Sequence, residues 1–343
     1  MKISAFITHK KSESYRDCQD RFSVNKDTKS IAVSDGMSQS YQQKIWATLL
    51  VESYTSGNLF AVTDDKLDEL RIQWKKQVLE FIESLKTIPG KEYLVRMNIN
   101  AVALQKSAAA TLLGIHFDGY KWEGLVLGDT CLIEVDSENK VLEIHTSQDK
   151  EFDNYPDFFD STTIHLKQKG QVRYICGELK AGHKMLLVSD PFSDIIQDSK
   201  NGKIDIDVNE LLNVKTHEEF CDLVERWRCE KGMTNDDSTL VSVTFDSTDI
   251  FEIEHADDIN TLIAEEQFAE ESPVDIHSKV NSRSNDSMSQ KEEQPEDVVE
   301  ECCIAKIIHE ILEIGWWNRI RRKKLTKMLE RILSQYIISK KNQ

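Results

Sequence analysis

Seven cysteines in 343 residues stand without any paired metal-finger spacing; only Cys302 and Cys303 are neighbours. That excludes a zinc-finger module, and scattered thiols are what a reduced, cytoplasmic protein carries. No run approaches the roughly 18 apolar residues of a membrane span. The opening Met1-Lys2-Ile3-Ser4 leads into a strand-like Ile3–Thr8 rather than into the apolar core of a leader peptide. Basic charge is also short. Lys and Arg number 43 against 60 Asp and Glu, a net charge of −17, which argues against nucleic acid as the main partner of the globular part.

What charge there is lies unevenly. Residues 1–245 have the mixed apolar and polar runs of a globular domain. Residues 246–300 carry 17 acidic and 3 basic side chains and few aromatics. Such a stretch cannot bury enough apolar surface to offset its ordering entropy, so it reads as an acidic, disordered linker. Residues 301–343 reverse the sign, with 10 basic and 4 acidic side chains. There Ile304, Ile307, Ile308, Ile311 and Leu312, then Leu325, Met328, Leu329, Ile332 and Leu333, recur at helical spacing on either side of Gly315. Trp316 and Trp317 precede the basic run Arg319 to Lys324. This is a basic amphipathic helical tail. Its first use is docking a partner or self-association, its second packing on the chain's own domain, and its third contact with an anionic membrane surface.

Within 1–245 the informative features are acidic clusters far apart in sequence: Cys18-Gln19-Asp20, Ser34-Asp35-Gly36, Gly128-Asp129-Thr130, Ser189-Asp190-Pro191-Phe192-Ser193-Asp194 and Asn235-Asp236-Asp237-Ser238-Thr239. Most adjoin an apolar run that reads as a strand: Ser30–Val33, Gly124–Leu127, Met185–Val188 and Leu240–Val243. An Asp at the end of a buried strand is costly unless something positive sits beside it. Several such ends point to a hard divalent cation with oxygen ligands, Mg²⁺ or Mn²⁺. The structural alternative is a set of turn aspartates that cap helices or solvate strand ends.

Periodicity places the rest. Strands are expected at Ile3–Thr8, Arg21–Asn25, Ser30–Val33, Ser107–Ile115, Trp122–Leu127, Cys131–Val135, Val141–His145, Val172–Cys176, Met185–Val188 and Leu240–Phe245. Helices are expected from Ser38 to about Thr55, from Asp64 to about Leu85 and over Thr216–Lys231. Residues 146–170 show no period and read as a loop or flap. Hairpin-length links between strands favour antiparallel sheets covered by helices.

The ordered set "CQDRF", "IAVSDGMS", "LVLGDT", "LLVSDPFSD" and "NDDSTLVSV" resembles the metal-dependent type 2C protein Ser/Thr phosphatases, in particular their divergent bacterial branch. The resemblance covers residues 1–245. It implies an α+β fold, a four-layer αββα sandwich of two antiparallel sheets flanked by helices, with a two-metal site at one end of the packed sheets. It implies Asp35 as the carboxylate bridging both metals and Gly36 as a carbonyl ligand. Asp190 and Asp236 become further ligands of the first metal, Asp20 the support of the second, and Asp129 with Asp194 the pair for a third. The implied activity is hydrolysis of phospho-Ser and phospho-Thr in proteins by a metal-bridged hydroxide, with no covalent intermediate, in a signalling role opposite a Ser/Thr kinase. No cysteine is followed six residues on by Arg, so a cysteine-nucleophile phosphatase does not fit.

Three departures stand out. Met37 occupies the place where many relatives have His; Met is common there in bacterial relatives. Pro191 replaces a Gly and is expected to reshape the turn that aims Asp190. The phosphate-binding Arg of the family falls at Tyr15, with Arg16 one residue off and His9, Lys10 and Lys11 as alternatives. These departures motivate a second reading, a catalytically impaired phosphatase-like module that binds a partner through its C-terminal helices. A third keeps the metals and hydrolyses a small phosphate ester or a signalling nucleotide.

Overall fold

The computed structural model describes residues 1–147, 157–162, 170–246 and 250–271. In chain order the elements are β1 (Lys2–Thr8), β2 (Arg21–Asn25), β3 (Ser30–Ser34), α1 (Gln43–Thr55), α2 (Asp64–Lys86), α3 (Glu92–Ala103), β4 (Ala109–Ala110), β5 (Leu112–Asp118), β6 (Lys121–Leu127), β7 (Cys131–Val135) and β8 (Val141–His145). There follow β9 (Phe159–Asp160), β10 (Arg173–Glu178), β11 (Lys184–Val188), α4 (Asp190–Lys200), α5 (Val208–Leu212), α6 (His217–Glu230), β12 (Ser238–Thr244), β13 (Glu252–Ala256) and α7 (Ile259–Glu271).

Two sheets dominate. One has the order β13-β1-β12-β11-β7-β8, the other β10-β6-β5-β3-β2. All their pairings are antiparallel except β13 with β1, which is parallel. Strict alternation decides which side chains meet. Ile3 and Ala5 of β1, Met185 and Leu187 of β11, and Val241 and Val243 of β12 face Ile31, Val33, Leu113 and Val126 of the other sheet in one apolar layer. The intervening residues turn outward. Ala32, Leu112, Leu125 and Leu127 pack under α1 and α2 through Trp46, Leu50, Leu70 and Trp74. On the far side, Phe6, Leu186, Val188 and Leu240 pack under α4 and α6 through Phe192, Phe220 and Trp227. The result is helix, sheet, sheet, helix, as expected.

Helix α6 starts on a capping box in which Thr216 accepts from the Glu219 N–H and Glu219 returns the bond, a local signal that sets its first turn. Helix α1 begins at Gln43, later than the expected Ser38, because Gln42 takes a left-handed φ of 57°. Helix α3 fills the stretch around Val95–Leu104 where periodicity is weak. Helix α4 was not expected at all. Ser189 is its N-cap and Pro191 sits in its first turn, where an N–H has no helical partner to lose. Pro191 thus starts a helix rather than distorting a turn.

Strand β13 and helix α7 fall inside the stretch that composition assigns to the linker, so the folded part runs past residue 245. A charge count over 55 residues hides the short pattern responsible: Phe251 enters the layer between the sheets, His255 stacks on Phe6 at 4.8 Å, and Leu262 packs with Ile7 and Cys18. One compact unit spans Met1–Pro273. The rest of the expected linker and the helical tail at 301–343 lie outside the described residues. No described helix is long and apolar enough to cross a membrane.

Candidate metal centre

Antiparallel registry carries the acidic clusters to one rim. In the first sheet Thr8 is opposite Ser238, and Val188 is opposite both Leu240 and Cys131. In the second, Arg21 is opposite Ser34 and Leu112 is opposite Leu127. Asp20 therefore precedes β2 where Asp35 and Gly36 follow β3, Asp129 turns from β6 into β7, Asp190 opens α4 straight after β11, and Asp236 precedes β12. Asp194 lies one helical turn beyond Asp190. All seven expected ligand residues gather at this rim.

The rim is short of positive charge. Asp20 is 1% exposed and Asp129 7%, whereas Asp35, Asp190, Asp194 and Asp236 each keep a face toward solvent. Burial first, then Asp35 and Asp237, drives the Asp20 carboxyl well above its usual range. Burial, then Asp129, Asp236 and Asp237, does the same to Asp35. Burial, then Asp35, Asp129 and Asp236, does so to Asp190. Asp129 is pushed up to about 7 by burial and, among its neighbours, by Asp194, Asp20 and Asp236. One buried carboxylate oxygen of Asp20 and one of Asp129 have no hydrogen-bond partner among the described residues. Groups that raise one another's pKa in this way are carboxylates facing a common space.

The backbone around them is braced. Asp35 N–H donates to Thr111 Oγ1 at 2.9 Å and Thr111 N–H donates back to the Asp35 carbonyl at 2.9 Å. Gly36 bridges to Ala110, and a Cβ there would stand 3.0 Å from the Gln19 carbonyl. Gly128, at φ +117°, must be glycine on two counts: the conformation is left-handed, and a Cβ would lie 2.4 Å from Thr111 Cγ2. The Asp20 carboxylate accepts from Thr239 Oγ1 at 2.8 Å, which joins the two sheets.

Asp237, beside Asp236, is a brace rather than an exposed neighbour. It is 1% exposed and accepts the N–H of Lys10 at 2.9 Å and of Gln19 at 2.7 Å. Its two bonds strap the segment after β1 to the start of β12. Asp237→Ala is expected to destabilise the fold by ~2 kcal/mol, since two backbone donors lose a charged acceptor while one like charge leaves the rim. A thermal melt that matches the parent protein would refute the strap.

Arg16 is exposed and meets Lys44 through its backbone carbonyl, at 2.6 Å. Lys10, one of the alternatives weighed in sequence, places its side chain on a rim carboxylate. Its Nζ lies 2.9 Å from Asp236 Oδ1 and 3.1 Å from Ser38 Oγ. Burial alone would lower the Lys10 pKa; the bond and charge of Asp236 outweigh it and raise it. Arg21 and Arg228, which sequence reading overlooked, hold carbonyls: Arg21 those of Cys18 and Asp20, Arg228 those of His9 and Asp236. No local pattern marks them, because their partners come from elsewhere in the chain. Among the described residues, the ligand-type side chains brought within 4.8 Å of one another as a trio are Glu134, Glu143 and His145, on β7 and β8. The rim aspartates form no such trio among the described residues.

The family model for protein phosphatase 2C matches residues 9–239. No curated protein sequence matches the chain. Similar solved structures include the Mycobacterium tuberculosis serine/threonine phosphatase PstP/Ppp, at 15% identity, covering 71% of this chain and 98% of that one with a TM-score of 0.43. The catalytic domain of PstP in complex with two manganese ions gives 15% identity, 70% and 96% coverage and a TM-score of 0.42. PppA of Pseudomonas aeruginosa, a regulatory component of its T6SS, gives 12% identity, 71% and 96% coverage and a TM-score of 0.44.

Proposed function

We infer that this chain, which belongs to the protein phosphatase 2C family, is a cytoplasmic, Mn²⁺- or Mg²⁺-dependent phosphatase that hydrolyses phospho-Ser and phospho-Thr in proteins. One observation carries the reading: carboxylates from both sheets meet at one rim, and two of them present buried oxygens without partners. That donor set is all oxygen, the preference of hard divalent cations. Asp35 would serve both ions and Gly36 would offer its carbonyl, Asp190 and Asp236 would hold the first and Asp20 support the second, with Asp129 and Asp194 left for a third. Bound there, Mn²⁺ or Mg²⁺ supplies the Lewis acidity that makes water nucleophilic near neutral pH and offsets phosphate charge.

The chain's own groups do the rest. Lys10, fixed between Asp236 and Ser38, places a positive charge at the rim to orient the phosphate. A cleft of ≈ 330 Å³ runs from Pro191 and Asp194 to Lys203, Lys231 and Thr234 and gives the residues flanking a phosphorylated side chain somewhere to lie. The buried thiols are poor nucleophiles. Burial pushes Cys18 well up and Cys131 up to about 12, which favours attack by water over a phosphocysteine. The impaired-module reading rested on Met37, Pro191 and the displaced Arg together; of these, the proline lies in the first turn of α4 and leaves Asp190 at the rim.

Full-length protein is expected to hydrolyse a phosphothreonine peptide with Mn²⁺ and to stop in EDTA; no turnover with any divalent metal would overturn the reading. Lys10→Gln is expected to raise KM about tenfold, the worth of one charge-assisted hydrogen bond. Arg16→Gln is expected to change KM less than about twofold, as an exposed rim charge does. The reverse order would make Arg16 the phosphate ligand.

A further inference from the structure

Away from the rim, one nucleophilic cluster is left over from the proposed reaction. Cys221 lies one turn after His217 on α6, so the two share a helix face. His217 Nε2 is 3.4 Å from Cys221 Sγ, and its Nδ1 is 2.8 Å from Asp257 Oδ2. Thr8 Oγ1 and Tyr15 Oη each lie 3.6 Å from the same sulfur, and Tyr15 Oη is also 2.8 Å from His217 Nε2. Asp257 is fixed by the Ile7 N–H at 2.9 Å and by His255 Nε2 at 2.8 Å. Thiol, imidazole and carboxylate thus stand in the order nucleophile, base, orienter.

Charge follows the geometry. Burial alone would push the Cys221 thiol up; bonds with His217, Thr8 and Tyr15, and the charge of His217, outweigh it and bring it below its ordinary range. His217 is pushed up to about 10, first by Asp257 and then by Cys221. The nearby acid on α7, Glu266, is turned to the Tyr15 N–H at 3.0 Å and to His9 at 3.7 Å. Cys221 is half-buried, unlike the enclosed Cys18 and Cys131, and exposed Cys229 two turns on meets only Glu225 through its sulfur among the described contacts.

We propose that Cys221 is a modification site: a cysteine nucleophile, set up by His217 and Asp257, that small hydroperoxides oxidise to sulfenic acid. The sulfur attacks the terminal oxygen of ROOH; the S–O bond forms and the O–O bond breaks. The departing alkoxide takes the His217 Nε2 proton and leaves as ROH. Sulfur is oxidised and the peroxide reduced.

The test uses the full chain. Iodoacetamide alkylation of each cysteine is followed by mass spectrometry from pH 5 to 10, and a dimedone adduct is sought after hydrogen peroxide. Cys221 is expected to alkylate with a midpoint below the ordinary thiol range and, at pH 7, about tenfold faster than Cys229. It is also expected to carry the dimedone. Asp257→Asn should shift the midpoint upward. Alkylation of Cys221 slower than Cys229 across the range, or peroxide labelling confined to other cysteines, would overturn the proposal in the unmodified protein, whatever the variant does.

Discussion

Asp35→Asn is expected to lower phosphopeptide turnover on the order of 10³-fold while leaving the metal-free protein at least as heat-stable as the parent. In the proposed centre, activity would fall because a neutral amide is a weak substitute for an anion that offsets bound cations, whose charge stabilisation is worth several kcal/mol, about 1.4 kcal/mol for each tenfold. Stability holds because the same substitution removes a carboxylate that burial and then Asp129, Asp236 and Asp237 disfavour. Asp236→Asn should also lose activity, but it frees Lys10 from its ion pair and is the less clean variant. Wild-type rates in both would show that the site lies elsewhere. A melting temperature that collapses in Asp35→Asn would show that the carboxylate is structural instead.

Withdrawing the metal is expected to invert the pH dependence of stability. Asp20, Asp35 and Asp190 have pKa values well above the ordinary range, and Asp129 is pushed up to about 7. Each folded carboxyl holds its proton where the unfolded chain has released it. The stability this confers is present at low pH and lost as pH rises through the folded pKa. In EDTA the melting temperature should fall by roughly 5–10 °C from pH 5 to pH 8, a few kcal/mol for a domain of this size. Saturating Mn²⁺ binds the ionised carboxylates, so the profile should be flat or rising. Superimposable profiles with and without Mn²⁺ would remove the metal from this rim.

Much of the architecture was readable beforehand because it is local. Alternation placed the strands of both large sheets except β13, and Leu67, Leu70, Trp74, Val78 and Ile82 marked the buried face of α2. What escaped was structure whose stabilising partner is remote. Helix α4 is hidden because Pro191 reads as part of a turn, although Ser189 before it is an N-cap residue. β13 was lost because its edge pairs with β1, about 250 residues earlier, and an acidic background masks a five-residue strand.

The proposed centre divides the same way. By itself the amino-acid sequence determined the order of the acidic clusters, their places at strand ends and the family they point to, because side-chain period and turn chemistry are properties of neighbouring residues. Tertiary structure alone decided that Lys10 rather than Arg16 reaches the carboxylates, that Asp237 ties β1 to β12, and that Asp257 meets the His217–Cys221 pair of α6. Those contacts join residues from 40 to 227 positions apart, and only the packing of two sheets and a helix brings such distant side chains within bonding range.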